Sequence, residues 1–452
     1  MSGAPSKVLS PEEIEALEGQ IVEAAKSGRT EDLWERLQPL RNLQRHQQSA
    51  AVALIRIVGH ACLERDQAAD LLSEIVEAHQ QDLALLKGLG ACLEVVRDID
   101  DLNAAAPDHP ALQAIVDRLA AARDHADRSE EEDLLDALAT AARLMARQRD
   151  ALAEASYRRL VEIDPDSRSN HYNLGLFFKT RGRFAEGLAA NQAAARLAEE
   201  PNEAIEWNLG ICATGAGEGE VALEVWKRMQ QKIEMGRFGL PEGGYPQCKV
   251  KLAQRPLAER TADADDPGLE ETIWIERLSP CHGIVRSVLY QDLGVDYGDV
   301  VLIDGAPITY HTYGEEQIPV FPHLATLLRR NFQFYDFAGT QEEARQLADS
   351  SRDLERDAIV YAHSENYQVL CASCWRDPDL DHETHERMEK HVVTGRIAAP
   401  PNLEPANLLD QLDQALARRD PCRLYAPDLC IAAGADSRAE TERRRFDMLR
   451  GN

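Results

Sequence analysis

The chain has 452 residues, with 50 Lys and Arg against 78 Asp and Glu, for a formal net charge of −28 at pH 7. Its 44% apolar and 28% charged content is that of a folded globular chain and excludes a disordered tail, a collagen-like repeat and a disulfide-stapled miniprotein. The negative field repels phosphate backbones and anionic lipid, so nucleic acid and membrane surfaces are not expected partners; basic proteins and cationic ligands suit it better.

No run of about 18 apolar residues offers a membrane span. The polar, acidic stretch Met1 to Gln20 lacks the apolar region of a secretory signal. Nine cysteines, an odd number, then point to a reducing cytoplasm and free thiols. Cys62, Cys92 and Cys212 sit in apolar helical contexts and read as small core residues.

Residues 1 to about 235 read as helical. Ser10-Pro11-Glu12-Glu13 is a helix start, with Ser10 as N-cap and Glu13 placed for a capping box. Ile14, Leu17, Ile21 and Ala24 recur at helical spacing, as do Leu71, Leu72, Ile75 and Val76. Ala105 to Pro110 breaks the pattern and opens a new helix. Ser129 followed by four acids opens another, because acids favour the positive end of a helix.

A repeat emerges near residue 134. Tyr172-Asn173-Leu174-Gly175 is answered 35 residues later by Trp207-Asn208-Leu209-Gly210, and Gly182 and Gly217 fall in the following turns. Small residues at 175 and 210 let paired helices approach closely, while Tyr157, Phe178 and Trp226 fill the space between pairs. Over residues 134–235 this resembles the tetratricopeptide repeat, a helix–turn–helix unit of about 34 residues. The resemblance implies a helical array whose concave face binds an extended peptide. It places Asn173 and Asn208 as amides able to donate to and accept from peptide backbone. Tyr172 and Trp207 would line the same face, with Lys179 and Arg181 near enough to favour an acidic ligand end. The bland alternative is that the two amides cap or bridge neighbouring helices.

Periodicity ends after Met235. Gly236 to Pro246 reads as a loop, and 259–271 (ERTADADDPGLEE) as an acidic linker. Strands are then expected at Thr272–Leu278, Gly283–Tyr290 and Val300–Ile303. Asp304-Gly305 is a hairpin signal with Ile308–Tyr313 as return strand. A helix is expected at Pro322–Arg330, a strand at Phe332–Phe337 and a helix at Thr340–Glu355. Ala358–Ala362 and Tyr367–Cys371 read as a strand pair, and helices close the chain at 404–419 and 436–449.

The expected fold is thus multidomain α+β. Residues 1–130 form a helical region or cap, 131–235 the repeats, 236–270 a loop and linker, and 271–452 a smaller α+β domain with a mixed or barrel-like sheet.

Two further clusters could carry chemistry. Cys371-x2-Cys374 followed by His382-x2-His385 offers four ligands of the types zinc takes. The gap between the pairs is shorter than in common zinc fingers, and a strand running through Cys374 would put the sulfurs on opposite faces. A redox role for C-x2-C needs the pair to open a helix after a strand, which the sequence does not suggest. Ser279-Pro-Cys281-His282-Gly283, with His311 downstream as a base for a Cys281 nucleophile, is the second cluster; its bland reading is a turn. Walker, G-x-G-x-x-G, G-x-S-x-G and H-E-x-x-H motifs are missing from the sequence.

Two functions follow. One is a cytoplasmic adaptor that holds a protein or peptide partner in the repeat groove, with a C-terminal effector or anchoring domain. The alternative is an enzyme or zinc module in residues 271–452 whose substrate protein the repeats recruit.

Overall fold

The computed structural model describes residues 8–27, 33–60, 63, 65–79, 82–92, 110–123, 128–144, 149–256, 268–355, 357–377 and 386–451. The chain divides into two compact units that interleave along the sequence. The first comprises Met1–Gly244, Arg255–Gly268 and Ile303–Ala325; the second comprises Tyr245–Gln254, Leu269–Leu302 and Thr326–Asn452.

The first unit is built on helices α1 (Pro11–Lys26), α2 (Leu33–Arg36), α3 (Gln38–Gln44), α4 (Gln48–Gly59), α5 (Arg65–Ala78), α6 (Leu83–Cys92) and α7 (Pro110–Arg123). They are followed by α8 (Arg128–Leu144), α9 (Asp150–Ile163), α10 (Arg168–Thr180), α11 (Phe184–Arg196), α12 (Glu203–Gly215) and α13 (Gly219–Arg228). The capping box closes as expected: Glu13 N donates to Ser10 Oγ at 3.2 Å, and Ser10 N donates to Glu13 Oε2 at 2.7 Å.

Ile14, Ile21, Leu54, Leu71, Leu72 and Ile75 pack into one core, and Leu135, Tyr157, Leu160, Leu174, Phe177 and Phe178 into the next. A Cβ at Gly210 would overlap the Trp226 indole, and one at Gly175 would overlap the Asn191 amide. The small residues are there for close helix approach, as their spacing implies. Among the described residues, no helix is long and apolar enough to cross a membrane.

The stretch expected as a loop at 236–246 instead holds half of a hairpin. Strand β1 (Ile233–Met235) pairs antiparallel with β2 (Pro241–Gly243). The acidic linker lies mostly outside the described residues.

The sheet-rich part of the chain holds a barrel-like sheet and a four-stranded one. In the second unit, β3 (Cys248–Ala253), β4 (Glu270–Arg277), β5 (His282–Val285) and β6 (Val300–Ile303) form an antiparallel run. In the first unit, β7 (Thr309–Tyr313) pairs with β8 (Glu316–Leu328), with Thr309 opposite Val320.

The four-stranded sheet has the order β10-β11-β9-β12. Its strands are β9 (Gln333–Gln341), β10 (Ile359–Cys371), β11 (Arg387–Ala399) and β12 (Arg423–Tyr425), all antiparallel. The short helix α14 (Ala372–Arg376) follows β10, and α15 (Pro405–Ala417), α16 (Pro427–Ala432) and α17 (Asp436–Arg450) close the chain. Phe337, Val393, Ile397, Leu408, Leu412 and Leu429 form the core between this sheet and its helices.

Three expectations fail here, each for a physical reason. Of Pro322–Arg330, residues up to Leu328 are strand, not helix: Pro319 and Pro322 cannot donate the bonds a helix interior needs, and Val320 to Leu324 are all buried, which hides the strand alternation. Thr340–Glu355 is not an α-helix either. β9 runs to Gln341, and a 3-10 turn covers only Ala348–Asp353. Glutamine side chains take the amide protons a helix would use: Leu347 N donates to Gln341 Oε1 at 3.0 Å, and Glu342 N donates to Gln346 Oε1 at 3.1 Å. Finally, the two strands expected at 358–371 are one long strand, β10, whose partner is β11.

Candidate functional site

On α10, Tyr172, Leu176 and Lys179 fall at i, i+4 and i+7, one face of the helix. Trp207 and Asn208 hold on α12 the places that Tyr172 and Asn173 hold on α10. Asn173 is half-buried and Asn208 is only 5% exposed. Neither amide makes a hydrogen bond among the described residues. Other asparagines do the capping and bridging: Asn170 Nδ2 donates to Leu160 O at 3.1 Å, and Asn202 Oδ1 accepts from Ile205 N at 3.2 Å. No polar atom of Asn173 or Asn208 is among the described buried atoms that lack a partner, so both amides reach solvent and are open to a ligand.

Lys179 is 4% exposed and is committed to a partner from far along the chain. Its Nζ donates to Asp304 Oδ2 at 2.8 Å across 125 residues. The same turn places Gly305 against Trp207, where a Cβ would lie 2.6 Å from the indole. Trp207 in turn meets Trp226 edge-on, with ring centroids 5.2 Å apart. The turn is pinned on its own side as well: Asp304 N donates to Pro322 O at 3.2 Å, and Gly305 N donates to Asp304 Oδ1 at 2.7 Å.

The hairpin expected at Asp304-Gly305 is therefore not one. β7 pairs with β8 through the turn at Tyr313 to Glu316, and the Asp-Gly turn serves the helices instead. Arg181 faces another neighbour, donating to Asp150 Oδ1 at 2.7 Å and to Arg143 O at 3.2 Å.

In the second unit, Ser279, Cys281 and His282 are fully buried. Ser279 Oγ accepts from Cys281 N at 3.2 Å and from His282 N at 3.1 Å, and lies 2.5 Å from His282 Nδ1. With two amides already donating to it, the hydroxyl gives its own proton to Nδ1. Burial pushes the imidazole down to about 4, so it is neutral, and its Nε2 has no partner. Cys281 Sγ lies 3.8 Å from Ser279 Oγ, away from solvent. His311 stands on β7 in the first unit. The structure thus places Cys281, fully buried, in a serine-capped turn.

Cys371 ends β10 and is the N-cap of α14, and Cys374 lies in the first turn. The pair does open a helix after a strand, contrary to the sequence expectation, and the two sulfurs are not on opposite faces of a strand. Burial, and a hydrogen bond with the Cys371 thiol, push the Cys374 thiol up. His382 and His385 lie outside the described residues. Among the described residues no group of three or more His, Cys, Asp or Glu could hold a metal ion.

A cleft of about 480 Å³ in the second unit is lined by Asp296, Asp299, Arg329, Phe332 and Arg396, among others. Burial raises both carboxyls above their ordinary value. Their oxygens are already engaged. Asp296 accepts from Leu289 N, Tyr297 N and Arg396 Nη1 at 2.7–3.2 Å, and Asp299 accepts from Asp296 N and Arg330 N. These are pins for the loop between β5 and β6 rather than groups poised to take a proton from a ligand.

No family model matches the chain, and no curated protein matches it. Solved structures similar to the chain include one titled "Functional Characterization of Pseudomonas Aeruginosa pilF" (13% identity, 48% of this chain, 90% of that one, TM-score 0.32). Another is MamA 41-end from Desulfovibrio magneticus RS-1 (18%, 40% and 93%, TM-score 0.29). A third is titled "Crystal structure of YrrB: a TPR protein with an unusual peptide-binding site" (18%, 39% and 84%, TM-score 0.27). At these scores the likeness identifies neither the family nor the function of this chain.

Proposed function

We propose that the chain is a protein- or peptide-binding adaptor that works through the face of α10 and α12 bearing Tyr172, Asn173, Lys179, Trp207 and Asn208. The observation that carries this reading is the near-buried Asn208 amide, which together with Asn173 has no hydrogen-bond partner among the described residues. An extended segment, with a free donor and acceptor on each residue, satisfies such amides. The sheet-rich region then serves as an effector or anchoring part. No disulfide is found among the described cysteines, in keeping with a reducing, cytoplasmic setting.

The test is affinity capture with the full chain from lysate of its own cells, against the Asn173→Ala/Asn208→Ala variant. The adaptor reading expects partners retained by the parent chain and lost by the variant. Equal retention by both overturns it. The competing reading, an enzyme or zinc module in residues 271–452, has less support, because Cys281 is sealed and the cleft carboxylates are fully engaged.

A further inference from the structure

The face proposed for the partner already carries a piece of the chain itself. The segment Ile303–Ala325 belongs to the helical unit, although it lies far from it in sequence. Its Asp304 carboxylate takes the Lys179 ammonium, and its Gly305 lies where no side chain fits against Trp207. We infer that the Asp304-Gly305 turn is an internal ligand of this face. The external partner is then an extended segment that presents an acidic side chain followed by glycine and binds by displacing the turn. This inference rests on the adaptor reading above.

Two observations support displacement over a permanent seal. The internal turn uses Lys179 and Trp207 but leaves the Asn173 and Asn208 amides without hydrogen bonds. A partner long enough to reach both amides gains up to about tenfold per amide over the turn. The chain is strongly acidic overall, so the near-buried Lys179 charge is a selective foothold for a carboxylate rather than part of a basic patch. The turn is tethered and competes at an effective concentration on the order of millimolar. The closed state therefore dominates until a partner that also engages the amides arrives.

The experiment uses the full chain and a fluorescein-labelled peptide of residues 300–308, read by anisotropy. The Asp304→Asn chain should bind this peptide at least tenfold more tightly than the parent chain. The peptide carrying the same Asp-to-Asn change should bind neither chain, and the Lys179→Met chain should bind neither peptide. Equal affinity of the parent and Asp304→Asn chains overturns the inference.

A second reading needs no variant. Millimolar peptide added to the parent chain should speed amide hydrogen exchange in residues 303–308, and unchanged exchange also overturns the inference. Capture that depends on Asn173 and Asn208 without peptide displacement sinks the internal-ligand inference alone. Peptide displacement without that dependence sinks the adaptor reading alone.

Discussion

Two polar contacts, one part-buried and one buried, hold their respective units in different ways. Lys179 and Asp304 are charged and 125 residues apart, and they fasten a distant turn to a helix face. Ser279 and His282 are neutral and three residues apart, and they close a turn on itself. A charged pair pays heavily for leaving water and recovers that only while both members are in place. A neutral pair pays less and loses less when broken. The first arrangement therefore suits a contact that can be exchanged for another carboxylate, and the second suits a fixed corner.

The comparison predicts an order of effects. Lys179→Ala leaves Asp304 without its counter-charge and should cost the helical unit about 3–5 kcal/mol in denaturant unfolding. It should also raise hydrogen exchange in residues 303–308. A cost below about 1 kcal/mol would mean that the ion pair is not what holds the turn.

The Ser279–His282 contact should show itself through pH. Burial holds the folded His282 imidazole at about 4, against about 6.5 in an unfolded chain. Below pH 6.5 the unfolded chain takes up a proton that the folded one refuses, so stability falls as pH drops from about 6.5 to about 4 and the loss then levels off. Across that window it amounts to at most ~3 kcal/mol. The direct check is the imidazole resonance of His282, whose midpoint should lie near 4. A midpoint above 6 would place the ring in contact with water.

Ser279→Ala should cost about 1–3 kcal/mol, because it leaves the amides of Cys281 and His282 and the imidazole without their shared partner. Cys281 labelling by a maleimide, slow in the parent chain, should quicken in this variant. Labelling as slow as in the parent would show that the turn is sealed by packing alone.

What could be read from sequence follows the range of the interactions. Helices α9 to α13 are legible because close approach at Gly175 and Gly210, caps such as Ser167 and Asn202, and apolar spacing all act within a few residues. The candidate face was legible in part, since Asn173, Asn208, Trp207 and Lys179 recur or cluster within the repeat. Its occupant was not. Nothing near Asp304 announces Lys179, and an Asp-Gly pair normally signals a hairpin. β8 is hidden because its buried run loses alternation, and β10 because its partner β11 lies beyond a gap that no local signal bridges. Ser279 was overlooked as the partner of His282, although its place three residues ahead of the ring is a turn signal that could have been weighed.

The smallest effect sharpens the contrast within the helical unit itself. Arg183, four residues beyond Lys179, also meets carboxylates: its Nη1 lies 2.5 Å from Glu154 and its Nε 2.5 Å from Glu186. Hydrogen bonds from Arg183 hold both carboxyls below their ordinary value. Yet its side chain is 36% exposed where that of Lys179 is 5% exposed, so water and salt screen what the geometry offers. Arg183→Met keeps an apolar stem over the Phe178 ring, which the guanidinium now covers at 4.4 Å. The expected cost is about 0.2–1 kcal/mol, shrinking further as salt rises. A loss equal to that of Lys179→Ala would mean that burial is not what separates the two cations, and the case for an exchangeable charge at Lys179 would lose its physical basis.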